Sequence, residues 1–450
     1  MNTERLKTLI RGTVITQFEP ARATACDDLI WNGRKPARSA RIIVRAACAD
    51  DVRQAVRFAA DNHLTVSARG GGHQFSGIAA RADLIVDLSA LQGLRLDVTA
   101  RKARLEPGVT NARLAAALDR HGLAFPVGHC GSVPVSGYLL GGGIGWNSAA
   151  WGFACFSVEA VEVVMADGSQ LTANATENSE IFWAARGAGP DFFGIVTAFH
   201  VRLQPAARAI STAIRIFPPS AVADVADWAE TVMATAPANI EFTAKVFVGP
   251  EGPVIAAIAT VFAATDEESR SIQAQIGAGA PEALEVIGPM PTPFAALYEA
   301  TAPSMPQGRR YGVDTVWSDG AYGILLSRVV DEMARAPSAE SLALVVLRPN
   351  AVPTPSDAAF SRHGRIFGAV YAIWQDEDRD AANETWLRTA IDTLVPFCSG
   401  SYVGEADLDR PHRPLPTHSR EASAHLSRLG ATYDPMSRFA GSRRARPIAA

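Results

Sequence analysis

Three glycines in a row, Gly70-Gly71-Gly72, lie between the short apolar run "LTVSA" and a histidine, His73. A chain with no Cβ on three successive residues gives up side-chain packing there. Such a segment suits either a tight turn or a close approach of backbone to another molecule. Successive glycine amides can turn inward to form an anion-binding nest, and Arg69 would add a cation beside it. The plain alternative is a surface connection with a solvated His73. Two further places are glycine-dense, "GYLLGGGIGW" at 137–146 and "RGAGPDFFG" at 186–194. None of the three supplies the GxGxxG of a dinucleotide-binding turn. No Walker loop, HExxH or GxSxG elbow occurs, so ATP hydrolysis, zinc proteolysis and serine-hydrolase chemistry lose their main support.

Around these loops, short apolar runs alternate with helical patterns. "ARIIVRAA", "LTVSA", "DLIVDLS" and "ARLEPGV" read as strands. "DDVRQAVRFAADNH" has the apolar spacing of a helix. "TNARLAAALDRHG" reads as a helix opened by Thr110 or Asn111 and closed by Gly122. After about residue 205 the texture changes to period-two strands, "AAIRIFPPS", "IEFTAKVFVG" and "PVIAAIATVFAA", with "SAVADVADWAETVMATA" as a helix between them. "GPMPTPF" and "RPNAVPTPSD" read as loops, Ser419 to Leu429 as a helix, and the last residues as disordered. The fold class expected is α+β: a domain of strands alternating with helices over 1–205, a domain with an antiparallel sheet covered by helices over 206–398, and a more polar C-terminal segment over 399–450. The 450 residues exceed what one core supports.

A net charge of −4 gives no electrostatic case for nucleic acid or an anionic membrane. No apolar run is long enough to span a bilayer, and the start lacks a signal-peptide core, so a soluble cytoplasmic protein is expected. The five cysteines, Cys26, Cys48, Cys130, Cys155 and Cys398, are widely spaced and contain no CxxC pair. Neither a disulfide framework nor a metal site is expected.

Taken together, "RGGGH" at 69–73, "GHCGSVPVSGYLLGGGIG" at 128–145 and "FWAARGAGPDFFGIVT" at 182–197 resemble the FAD-linked oxidases of the vanillyl-alcohol oxidase and p-cresol methylhydroxylase superfamily, best of all its berberine bridge enzyme-like group. "WNG" at 31–33, "YVGEADL" at 402–408 and "YDP" at 433–435 fall in the same order as that group's signatures. The resemblance implies a PCMH-type two-part FAD-binding domain over 1–205, a separate substrate domain over 206–398, and a segment over 399–450 that returns to the FAD-binding domain. It implies an FAD seat formed by Arg69, Gly70, Gly71, Gly72, Gly128, Val133, Gly137, Gly141, Gly142, Gly143, Gly145, Ile195 and Val196. His73 would bond covalently to the flavin 8α carbon. The match of Gly128-His129-Cys130-Gly131-Ser132-Val133 to G-x-C-x-x-V implies a second bond through Cys130 at ring carbon 6. A small residue such as Val133 goes with access of O2 to the flavin. Pro134, where the family usually has glycine, departs from the pattern and bears on oxidase against dehydrogenase.

The family's Y-x-N-Y base motif is altered to Tyr402-Val403-Gly404-Glu405. A carboxylate is a better base than a phenol of ordinary pKa about 10, so Glu405 is the expected base, with Tyr402 second and a merely solvated acidic loop as the plain reading. Tyr311, Trp317 and Tyr371 are candidate substrate contacts from the second domain, although aromatics on a sheet are more often core. Tyr311, Val313, Thr315 and Trp317 share one face by period two, with Asp314 on the other. Phe192 replaces a common asparagine, "GFACF" replaces Gly-Leu-Ala-x-Asp, and the asparagine-containing ending is missing. These departures point to a bacterial branch away from plant ring-closing enzymes. The function expected is oxidation of an alcohol, sugar or other small organic substrate by hydride transfer to flavin N5, with O2 as acceptor. The alternatives are a non-catalytic flavin-binding homologue, a dehydrogenase with another acceptor, and the NADPH-dependent enolpyruvyl reductase class, which shares the fold without a covalent flavin.

Overall fold

The structure, a computed structural model, describes residues 2–36, 40–349 and 357–441. The helix Ala49–Asp61 buries Val52, Ala55, Val56 and Ala59 at helical spacing. Its wholly buried Asp51 accepts the backbone amides of Arg11, Gly12 and Ala47 at 2.8, 3.0 and 2.8 Å. Three donors on one carboxylate offset the cost of burying it. Beside this helix lies a four-stranded sheet in the order Thr13–Thr16, Ile42–Arg45, Leu84–Asp87, Val66–Arg69. Its last three strands are parallel. An antiparallel five-stranded sheet follows, in the order Leu94–Asp97, Lys102–Leu105, Ile195–Arg202, Val158–Val164, Gln170–Asn174. The helix Asn111–Asp119 opens on Thr110, whose hydroxyl accepts the Arg113 amide. The chain turns away from it at Gly122, φ +64°.

The second region is one antiparallel sheet of seven strands: Glu285–Pro291, Ala209–Phe217, Gly252–Ala263, Ile240–Gly249, Leu342–Leu347, Ile366–Trp374 and Arg310–Ser318. Period-two alternation sends one set of side chains to each face. Phe242, Ala244, Val246, Val316, Val370 and Ala372 pack under the helices Val222–Thr235, Asp266–Gly277, Tyr322–Met333 and Asp380–Leu394. Tyr311, Val313, Trp317, Phe367 and Tyr371 face the first region instead, meeting Phe153, Phe360 and Tyr402. Full burial of a side chain such as Phe153 contributes roughly 1.5–3 kcal/mol. The site forms against this second face.

One expected loop is corrected. The first half of "GPMPTPF" belongs to the strand Glu285–Pro291, which pairs with Ala209–Phe217 at the sheet edge. An edge strand tolerates proline because its outward side needs no amide donor. The other expected loop, "RPNAVPTPSD", lies mostly on residues outside those described, as do residues 442–450. The helix Arg420–Tyr433 starts on Ser419, whose hydroxyl accepts the Ala422 amide. Beyond it the Val66 amide donates to the Arg438 carbonyl at 2.7 Å, and the Ala440 amide donates back to Val66 at 2.9 Å. Phe439 is buried in the same core as Val66. No helix among the described residues is long and apolar enough to cross a membrane.

Candidate active site

Between the two regions lies a site with one wall of loops and one wall of strands. The loop wall begins where Val66–Arg69 ends. Gly72 has φ +70°, and a Cβ on it would sit 1.9 Å from the Leu29 carbonyl oxygen. A Cβ on Gly71 would meet the Pro134 ring at 2.4 Å. Arg69 is committed to holding this turn: its guanidinium donates to the carbonyls of Leu29, Gly70 and Gly71 at 2.9, 3.2 and 3.2 Å and pairs with Asp87 at 3.1 Å. With two glycine carbonyls drawn to the arginine, the amides of Gly70, Gly71, Gly72 and His73 have no acceptor among the described residues. Four successive amides without a protein partner among the described residues are the donor set that an anion-binding nest requires. Arg69 therefore braces the backbone of the turn.

His73 is stacked on Trp31, with ring centroids 5.1 Å apart and planes at 25°. Burial, then the nearby Arg69 charge, push its pKa down to about 4. It is thus a neutral imidazole, and so a potential nucleophile, at any ordinary pH. Across from it, Ser132 Oγ lies 3.4 Å from His73 Nε2 and 3.3 Å from Cys130 Sγ. The Cys130 loop is gripped from outside. Asn111 donates to the Cys130 carbonyl, Tyr298 to that of Gly128 and Thr301 to that of His129, at 3.3, 3.2 and 3.1 Å. The Val133 amide closes the turn onto Cys130. Pro134 caps the short helix Val135–Leu140 and carries the ring that fills the space over Gly71. Behind it, Gly137 is exposed, and the run Gly141, Gly142, Gly143, Gly145 passes close to Tyr402. The Gly143 amide donates to the Tyr402 hydroxyl at 3.2 Å. Ile195 and Val196 are buried at the start of their strand, paired with Val164 and Val163.

Facing the glycine turn are further ionisable groups, Tyr371, Glu241 and Lys245 from strands and Glu405 and His129 from loops. Tyr371 donates to Glu405 Oε2 at 2.9 Å. Burial raises the Glu405 pKa, while that hydrogen bond and the charge of His129 act the other way. His129 reaches across the gap to Glu241 at 2.7 Å. Burial opposes its charge, but the Glu241 carboxylate outweighs burial and raises its pKa. Lys245, on the same strand face as Glu241, bonds Ser304 at 2.7 Å, and its pKa is lowered by burial. Tyr402 is enclosed, and burial carries its phenol further from the range of a base. Tyr311 and Trp317 are 0% exposed. The Tyr311 hydroxyl donates to the Pro306 carbonyl, and its ring packs on Trp31 at 4.9 Å. Trp317 packs on Phe367 at 4.8 Å. Neither offers surface to a small molecule as it stands, whereas Tyr371 presents its hydroxyl to Glu405.

Sequence reasoning missed Ser132, Glu241, Lys245 and the stacking role of Trp31. "IEFTAKVFVG" does hold a signal for two of them: Glu241, Thr243 and Lys245 alternate with Ile240, Phe242, Ala244 and Val246. A polar stripe on one face of a strand, inside a large core, marks a face that lines something. Asn32 of "WNG" joins the two walls. Its side chain donates to the carbonyls of Phe75 and Tyr311 and accepts the Tyr311 amide, at 2.8, 2.9 and 2.9 Å. Among the described residues, no His, Cys, Asp and Glu cluster is arranged to hold a metal ion.

Comparison with known proteins bears on the family and the fold. Residues 40–174 match the FAD binding domain family. An FAD-linked oxidoreductase of Penicillium crustosum is 31% identical over 433 residues, covering 94% of this chain and 93% of the relative. (R)-6-hydroxynicotine oxidase of Paenarthrobacter nicotinovorans is 34% identical over 192 residues, 42% of each chain. Among solved structures, berberine bridge enzyme from Eschscholzia californica superposes with a TM-score of 0.85 at 17% identity, covering 100% of this chain and 99% of that one.

Proposed function

The chain belongs to the FAD-linked oxidoreductases of the vanillyl-alcohol oxidase and p-cresol methylhydroxylase superfamily, and from that premise we propose that it holds its FAD covalently, through His73 and Cys130, and oxidises a small organic alcohol, sugar or amine with O2 as electron acceptor. The residues fit the group. The amides of 70–73 suit a pyrophosphate, and a neutral imidazole and a thiol stand on the same wall, joined by one serine. When bound, FAD supplies the hydride acceptor, N5, and passes the electrons on.

The observation that carries the catalytic reading is the Tyr371–Glu405 pair beside those two nucleophiles. Glu405 takes the proton from the substrate hydroxyl or amine. Its raised pKa makes it a stronger base than an ordinary carboxylate once ionised. Tyr371 holds the carboxylate in place, and His129, whose charged form Glu241 favours, acts on Glu405 from close by. The hydroxynicotine oxidase relative is the reason for keeping amines beside alcohols and sugars.

Acid precipitation tests the cofactor half. A yellow pellet, with FAD mass on the His73 and Cys130 peptides, is expected; a colourless pellet with a yellow supernatant overturns covalent attachment. Anaerobic mixing with a panel of alcohols, sugars and cyclic amines tests the rest. Bleaching of the flavin by a member of the panel, followed by recovery in air, is the expected result.

A further inference from the structure

Ser132 occupies a place that the catalytic reading does not use. Its Oγ lies 3.3 Å from Cys130 Sγ and 3.4 Å from His73 Nε2, so one hydroxyl touches both side chains proposed to hold the flavin. We propose that Ser132 is the positioning group for cofactor attachment, accepting the Nε2–H of His73 and donating its own hydrogen to the Cys130 sulfur. This inference rests on the covalent-flavin reading above.

The direction of the chain decides what both partners can do. A hydroxyl has one hydrogen to donate. If it goes to sulfur, the thiolate gains a donor, and the hydroxyl oxygen is left to accept Nε2–H. The His73 lone pair then sits on Nδ1, away from Ser132 and free to attack. If the chain ran the other way, S–H would donate to Oγ and O–H to Nε2. That would keep the thiol protonated and occupy the lone pair facing Ser132. The surroundings keep the geometry in place. Trp31 covers a face of the His73 ring at 5.1 Å, and Asn111, Tyr298 and Thr301 pin three successive carbonyls of the Cys130 loop. Ser132 itself is exposed, so a proton passed to it can leave to water.

Each attachment is an oxidation. At His73, a C–H bond of the 8α methyl group is lost and an N–C bond to Nδ1 forms, while the Nε2 proton leaves through Ser132. At Cys130, the C6–H and S–H bonds are lost and an S–C bond forms. In both, the electron pair passes to the flavin ring and from there to O2, giving one H2O2 per bond.

The test uses the full chain from riboflavin-limited cells, incubated with FAD in air. Proteolysis and mass spectrometry follow each bond in time, and the visible spectrum confirms that FAD is seated. Wild type should end with one FAD joining the His73 and Cys130 peptides and two H2O2 released. Ser132→Ala should bind FAD yet form both bonds slower by up to about tenfold each, as loss of one hydrogen bond implies. Ser132→Thr, which keeps the hydroxyl, should restore both rates. Wild-type rates in Ser132→Ala, or slowing of only one bond, overturn the shared role. Absence of any covalent FAD in wild type is the separate failure of the covalent-flavin reading, and takes this inference with it.

Discussion

The two walls of the site are built in opposite ways. The loop wall works through backbone: glycines without room for a Cβ, carbonyls drawn to Arg69, and amides left free between them. The strand wall works through side chains, and each of its functional pairs joins a strand residue to a loop residue far away in the chain. Glu241 meets His129 across 112 positions, and Tyr371 meets Glu405 across 34. A backbone seat tolerates almost no substitution, because the fault is steric. A side-chain wall can change its chemistry at one residue while the seat stays intact, which is how one fold serves many substrates.

That contrast can be broken. Gly72→Ala should have the largest effect. Its φ is +70°, and a Cβ 1.9 Å from the Leu29 oxygen cannot be relieved by rotating a side chain. Loss of nearly all FAD per chain, with a lower Tm, is expected; a fully loaded variant would mean that the seat is not backbone-limited. On the other wall, Glu405→Gln should leave FAD content unchanged and slow flavin reduction by about 10²–10⁴-fold. Stopped-flow reduction at wild-type rate would remove Glu405 as base.

Tyr371→Phe sharpens the comparison with a smaller effect of about tenfold or less. The Tyr371 hydrogen bond holds the Glu405 pKa below where burial alone would put it. Only the ionised carboxylate can take a proton, so the rate rises with pH through that pKa. Removing the hydroxyl raises the pKa further and should move the rising limb to higher pH. An unmoved limb in the pH–rate profile would show that the limb belongs to another group.

How much of this was legible follows from the same contrast. The glycine turn is readable because such a turn requires contiguous residues, and contiguity survives in a sequence, whereas His73 and Cys130 stand out only through resemblance to a family. Gly122 and the Thr110 cap were readable for the same local reason. Ser132 lay inside a quoted motif, but its role depends on His73, 59 positions away. Tyr311 and Trp317 were placed on the correct face by period two, yet the alternation could not say that their rings are used up on Trp31 and Phe367. Glu241 and Lys245 showed as a polar stripe whose partners come from loops that no local pattern connects to them. The strand in "GPMPTPF" was hidden by its prolines, which only an edge position can accommodate.

The clasp of Val66 by Arg438 and Ala440 also bears on the order of events during synthesis. The strand that feeds the glycine turn has Leu84–Asp87 on one side and this late segment on the other. More than 350 residues therefore have to leave the ribosome after the turn itself before its supporting strand is held on both sides. Until that segment is made, the whole glycine motif is present while the strand that feeds it is paired on one side only.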